Sequence, residues 1–130
     1  MKFPVVIIKK GESPIYFLTK GNFGLISRGG ERFYKHGIIY DSEGNVFSIT
    51  AIESIQKAPL LKSIKYVQPM YQVQVHCEKL NSISLEEFKE LITGHIGSHR
   101  KYWLSKDSFE DLRNSIKEKN DFYEIIIFLK

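Results

Sequence analysis

The chain has a single cysteine among its 130 residues, which excludes an internal disulfide and fits a reducing compartment. It lacks any apolar run near the ~20 residues of a membrane-spanning helix. The apolar stretch that opens it, Val5 to Ile8, is too short for a secretory signal and runs into Lys9 and Lys10. The expectation is a cytoplasmic protein with no membrane partner. No five basic residues stand together, which weighs against a nucleic-acid face without excluding one. No P-loop occurs, and neither Gly21-Asn22-Phe23-Gly24 nor Ser27-Arg28-Gly29-Gly30 matches a dinucleotide fingerprint. Those glycines read as turn positions that need positive φ. No Gly-x-Ser-x-Gly elbow is present, so a serine hydrolase of that design is excluded.

What is present is an ordinary apolar and charged content with many phenylalanines and tyrosines, suited to a packed sheet carrying helices. At this length the chain is one domain, residues 1–130, able to bury a core without a disulfide or metal. Net charge is +4, unevenly placed. Residues 1–65 hold ten Lys and Arg against five Asp and Glu, and residues 66–130 hold nine against ten. A basic half serves either as a nucleic-acid face or as lysines that protect sheet edges from aggregation.

The first half reads as an antiparallel meander. Phe3 to Lys9, Ile15 to Thr19, Phe23 to Ser27 and Arg32 to Tyr40 are strand-like, separated by turns at Gly11–Pro14, Lys20–Asn22 and Gly29–Gly30. A tight hairpin follows, in which Asp41-Ser42-Glu43-Gly44-Asn45 joins Gly37–Tyr40 to Val46–Ile49. Ile52 and Ile55, three apart, allow a short helical turn over Ala51–Lys57 that Pro59 would stop. Leu60 to Val67 fits no single element, and Gln68-Pro69 interrupts the chain. Tyr71, Val73, Val75 and Cys77 then alternate with Gln72, Gln74 and His76, putting the first set on a core face.

The last third changes period. Ser84-Leu85-Glu86-Glu87 is a capping box, and Leu85, Phe88, Leu91 and Ile92 form the apolar stripe of a helix ending at Gly94 or Gly97. Asp107-Ser108-Phe109-Glu110 offers a second box, with Phe109, Leu112 and Ile116 as its stripe. Asn120-Asp121 breaks that helix, and the near-continuous apolar run Phe122–Leu129 reads as a buried final strand. The expected fold is α+β: a mostly antiparallel sheet, two C-terminal helices packed on one face, and a final C-terminal strand.

No catalytic, cofactor or metal constellation emerges. His76 and Cys77 are strand neighbours pointing to opposite faces, so Cys77 reads as a small buried hydrophobe. His95 and His99 have the spacing of two zinc ligands, but a zinc site needs three or four. The pairs Glu86-Glu87 and Glu110-Asp111 lie in first helical turns, where the amide dipoles favour negative charge. The stretch Gly97–Leu104 is the richest in binding chemistry. It mixes His99, Arg100 and Lys101 with Tyr102 and Trp103, a composition common at interface hot spots and on single-strand stacking surfaces. The alternative is that Trp103 and Leu104 staple the next helix to the sheet and leave the cations solvated.

The hairpin Tyr40-Asp41-Ser42-Glu43-Gly44-Asn45-Val46-Phe47 and the tail of helix, loop, helix and final apolar strand resemble bacterial immunity proteins. These guard cells that carry polymorphic or contact-dependent growth-inhibition toxins. The resemblance implies a non-enzymatic inhibitor, needing no cofactor, that binds the C-terminal toxin domain of a cognate protein and occludes it. The candidate contacts are Arg100, Tyr102 and Trp103 between the helices, and Glu110, Asp111 and Glu118 on the second helix. The alternative function is a small basic nucleic-acid-binding module.

Overall fold

In a computed structural model of the chain, the structure describes residues 1–27, 30–57, 70–104 and 108–130, with the backbone alone for 54–57. The expectations at Arg28-Gly29, Pro59, Leu60–Val67, Gln68-Pro69 and Asp107 lie outside the described residues. The fold is α+β. The strands are β1 (Val5–Lys9), β2 (Ile15–Leu18), β3 (Leu25–Ser27), β4 (Gly37–Asp41), β5 (Val46–Lys57) and β6 (Met70–Lys79). They form one antiparallel sheet in the order β2-β1-β4-β5-β6-β3. Four helical segments follow: α1 (Leu85–Ser98), the single turn α2 (Arg100–Trp103), α3 (Phe109–Lys117) and α4 (Phe122–Phe128).

The two edge strands, β2 and β3, are consecutive in the chain and joined by only six residues. That short link curls the sheet until side chains of its two ends meet, Leu18 of β2 sharing a cluster with Ile26 of β3. Alternation along each strand then feeds two separate cores. Val5, Ile7, Leu18, Ile26, Tyr34, Ile39 and Val73 fill the inner face. Val6, Ile8 and Ile15 face outward and meet Phe88, Ile92, Ile96, Ile116, Ile125 and Ile126 of the helices.

The inner face is closed by backbone as much as by side chains. A 3-10 turn at Gly30–Phe33 carries Phe33 and Tyr34 into it, and Tyr34 is fully buried. The Tyr34 hydroxyl accepts a hydrogen bond from the Gly24 amide at 2.8 Å. Gly24 has φ +81, and a Cβ there would lie 2.7 Å from the Val73 carbonyl oxygen. Only glycine permits both the left-handed backbone and that approach. The expected strand over Arg32–Tyr40 is therefore corrected: its first part is the 3-10 turn, and pairing with β1 begins at Gly37.

The hairpin is the hub between the two cores. Asp41 is fully buried, and its carboxylate accepts from the amides of Lys2, Glu43 and Asn45 at 2.9 Å each and from Asn45 Nδ2 at 3.1 Å. Gly44, at φ +84, lies against the Phe122 ring of α4, and its carbonyl accepts from the Ile83 amide just before α1. The turn thus ties the N-terminal segment, the sheet and the helical layer together.

Three further expectations are corrected. Ala51–Lys57 continues β5 as strand, with a bulge at Thr50 whose hydroxyl donates to the His76 carbonyl. The first helix does not stop at Gly94 or Gly97 but runs to Ser98. The final apolar run is a helix, not a strand. Asp121 caps it by accepting from the Glu124 amide at 2.8 Å, and Glu124 accepts from the Asn120 amide at 2.6 Å. Phe122, Ile125, Ile126 and Leu129 then turn inward at helical spacing, leaving Tyr123 and Ile127 exposed. The first predicted N-cap forms, Ser84 and Glu87 closing a full capping box; the second helix is capped one residue later than the expected Asp107–Glu110 box, the Ser108 hydroxyl accepting from the Asp111 amide.

Candidate functional site

The β1–β2 turn, Lys10 to Pro14, organises one end of the molecule. The Ser13 carbonyl accepts from Trp103 Nε1 at 2.9 Å and meets His95 Nε2 at 3.0 Å. His99 Nδ1 meets the His95 carbonyl at 2.9 Å, and the two rings lie 4.5 Å apart. His95 therefore ties the end of α1 to the β1–β2 turn, and His99 packs on His95 and closes the helix end. Among the described residues, no group of three or more His, Cys, Asp and Glu is placed to hold a metal ion.

Trp103 is half-buried on the helix-covered core, together with Leu104, which is the stapling arrangement. Tyr102 points the other way, 54% exposed, its ring edge-on to Trp103 at 5.4 Å. Arg100 is exposed but ordered, its guanidinium 4.6 Å from the centre of the Phe109 ring. Phe109 packs in turn against the bare Gly97 of α1. This contact brings α2 beside the start of α3, whose first turn also carries Glu110 and Asp111. Glu118 does not join them. It caps the far end of α3, about 12 Å along the axis, beside an open groove lined by Asn120, Tyr123, Glu124 and Ile127.

On the other flank of the turn, Glu12 links aromatics to cations. It accepts from the Tyr16 hydroxyl at 3.1 Å and pairs with the Lys9 ammonium at 3.1 Å. The Lys9 hydrogen bond, against a lesser burial effect, holds the Glu12 carboxyl below its ordinary value. Burial, the Glu12 carboxylate and the neighbouring Tyr102 phenol push Tyr16 up. Tyr102 is therefore close to the same turn.

Beyond Glu12 lies a basic ridge absent from the sequence-based site. Lys9 is buried and donates to the Arg32 carbonyl at 2.7 Å, which fastens the 3-10 turn to the β1–β2 turn. Arg32, Lys35 and His36 then stand between two adjoining cavities of about 540 and 690 Å3, the first also lined by Lys10. These residues are scattered along the chain, and the excess of cations in the first half is their one sequence signal.

His76 and Cys77 point to opposite faces of β6. Cys77 packs into the inner core, and burial pushes its thiol up, against a smaller effect of the N-terminal ammonium. His76 Nε2 lies 3.2 Å from the Glu53 carboxylate of β5, without hydrogen-bond alignment. Comparison with known proteins finds no matching family model, no matching curated protein and no matching solved structure. No helix among the described residues is long and apolar enough to cross a membrane.

Proposed function

We propose that this protein is a non-catalytic inhibitor that binds a cognate protein toxin and occludes its toxin domain, an immunity protein in kind. The observation that carries the reading is the end of the molecule around the β1–β2 turn. An exposed tyrosine and an ordered arginine stand there on a rigid base, and tyrosine and arginine dominate interface energetics. The base is rigid because His95 and Trp103 both hold the Ser13 carbonyl. The hairpin Tyr40–Phe47, which resembles that of immunity proteins, supplies the second support.

The mechanism is occlusion, with no turnover. Tyr102 and Arg100 provide the anchoring contacts, Glu110 and Asp111 the polar rim, and Trp103 acts from beneath by positioning Tyr102. Glu118, at the far end of α3, belongs to a separate contact. The test is to co-express the chain with the toxin domain encoded by the adjacent reading frame and measure the complex. A complex of nanomolar or tighter affinity is expected, and Tyr102→Ala should weaken it by roughly tenfold or more without moving the melting temperature. A chain with no toxin-encoding neighbour, and no toxin among the proteins it captures from its own cell, overturns the reading.

A second reading, a nucleic-acid-binding module, is favoured by the basic ridge alone. It predicts DNA or RNA affinity that falls steeply with salt.

A further inference from the structure

We infer that Lys10, Arg32 and Lys35 form a receptor for an acidic segment of the protein partner, an inference that rests on the binding reading above and adds the partner's chemistry to it.

The first argument is that these charges are gathered but not used. Among the described residues, no carboxylate lies within 4.0 Å of Lys10, Arg32 or Lys35; the carboxylate partners formed there are Lys9 with Glu12, Lys89 with Glu86 and Arg113 with Glu110. Like charges held together without a partner repel, and the fold draws no internal contact from them in return. A bound anion offsets that repulsion.

The second argument is that the ridge is built rather than draped. Lys9 is nearly excluded from solvent, and its ammonium is spent on the Arg32 carbonyl and Glu12, which fixes the backbone on which Arg32 and Lys35 stand. The turn closes at His36, a non-glycine residue in the left-handed region at φ 62. It runs directly into Gly37, where a Cβ would lie 2.5 Å from Ile7 Cγ2. Backbone held in such a region is over-determined by its surroundings and does not readily relax. The cations therefore project from a fixed platform into the two cavities that adjoin them.

The third argument separates the classes of polyanion. A nucleic-acid strand needs rings for its bases, and the aromatics here are already engaged: Tyr16 packs edge-on against Phe33 at 4.5 Å and donates to Glu12. Glu12 and Glu31 also line the two cavities. A backbone with charge at every nucleotide would meet them as like charges. Carboxylates spaced along a polypeptide can face the three cations and miss both glutamates. Arg32 suits this, because its planar fork matches a carboxylate bidentately. A partner acidic on this side also fits a basic inhibitor, since complementary potentials steer association.

The test uses the full chain and two probes, a decaglutamate peptide and a ten-nucleotide polythymidine, followed by amide chemical shifts at low salt. Decaglutamate should shift Lys9–Lys10 and Glu31–His36, and the triple variant K10E/R32E/K35E should abolish those shifts while keeping its circular dichroism and melting curve. Should the triple variant fail to fold, Lys35→Ala alone should weaken decaglutamate binding measurably. Shifts located elsewhere, or none, overturn the inference. Tighter polythymidine binding at the same residues, with a steep salt slope, overturns it in favour of nucleic acid. With a toxin in hand, the triple variant should slow association roughly tenfold at low salt, an effect that shrinks as salt rises. Toxin binding lost in Tyr102→Ala but unchanged in the triple variant refutes the receptor and keeps the inhibitor reading. Decaglutamate bound at the ridge by a chain that captures no toxin refutes the inhibitor reading, and with it the assignment of the acidic segment to a toxin.

Discussion

The two faces of the sheet are closed by different means. The inner face is sealed by the chain's own backbone: Gly24 lies against the Val73 carbonyl, Tyr34 holds the Gly24 amide, and Gly37 lies against Ile7. The outer face is sealed by side chains of helices, Phe88, Ile92, Ile116 and Ile126 meeting Val6 and Ile8. Backbone closure admits no added atom, whereas helix packing leaves the far side of each helix free to vary. The lesson is functional. Among the described residues, three of the five exposed large hydrophobics, Tyr102, Tyr123 and Ile127, belong to the helical layer, while Met1 and Leu80 flank strands. Anchored layers carry binding residues because the core beneath them does not depend on their identity.

The sharpest way to break the comparison is Gly24→Ala. A left-handed backbone and an overlap with a carbonyl oxygen should together cost about 3 kcal/mol or more, read as a lowered urea midpoint. An unchanged midpoint would show that the inner face can yield after all.

Asp41 comes next, since it joins both faces. Asp41→Asn should destabilise by about 2 kcal/mol, because the neutral amide cannot accept the same four hydrogen bonds. The pH dependence has a definite sign. Burial by itself pushes the Asp41 carboxyl up, but its bonds to Lys2, Glu43 and Asn45 outweigh that and hold it below its ordinary value. A depressed carboxyl contributes stability that is complete above its unfolded pKa of about 3.9 and is lost as pH falls through the folded value. The gap between wild type and Asp41→Asn should therefore be constant above about pH 5 and narrow in stronger acid. A gap that widens in acid would contradict the account.

The smallest effect tests the helical side. Gly94 is exposed within α1, and a Cβ there meets nothing within 4 Å. Gly94→Ala should raise stability by about 0.5–1 kcal/mol through helix propensity. A glycine of the inner face should never behave that way.

Some of this was readable from residues alone. Alternation at Tyr71–Cys77 marked the inner side of β6, and the serine at 84 marked a helix start, because both signals arise within a few neighbouring residues. The final run was misread although its helical signs were present. Asp121 and Glu124 stand at capping-box spacing, and Phe122, Ile125, Ile126 and Leu129 repeat at 3.6, yet three successive isoleucines carry strong strand propensity. Packing against Val6 and Phe88 decided for the helix.

The candidate site was half legible. Aromatics and Arg100 crowd into one short segment and announced themselves. Which of them face solvent did not follow, since that depended on a carbonyl 90 residues away, Ser13, capturing Trp103. The basic ridge was invisible, because Lys10, Arg32 and Lys35 meet only when β1 pairs with β4 and Lys9 binds the Arg32 carbonyl. By itself the sequence determined most of the strands, the start of the first helix and the alternation of β6, which are local properties of spacing and backbone. Only the tertiary structure decided which side chains share a surface, because the curl that joins the sheet's two ends is a long-range packing event.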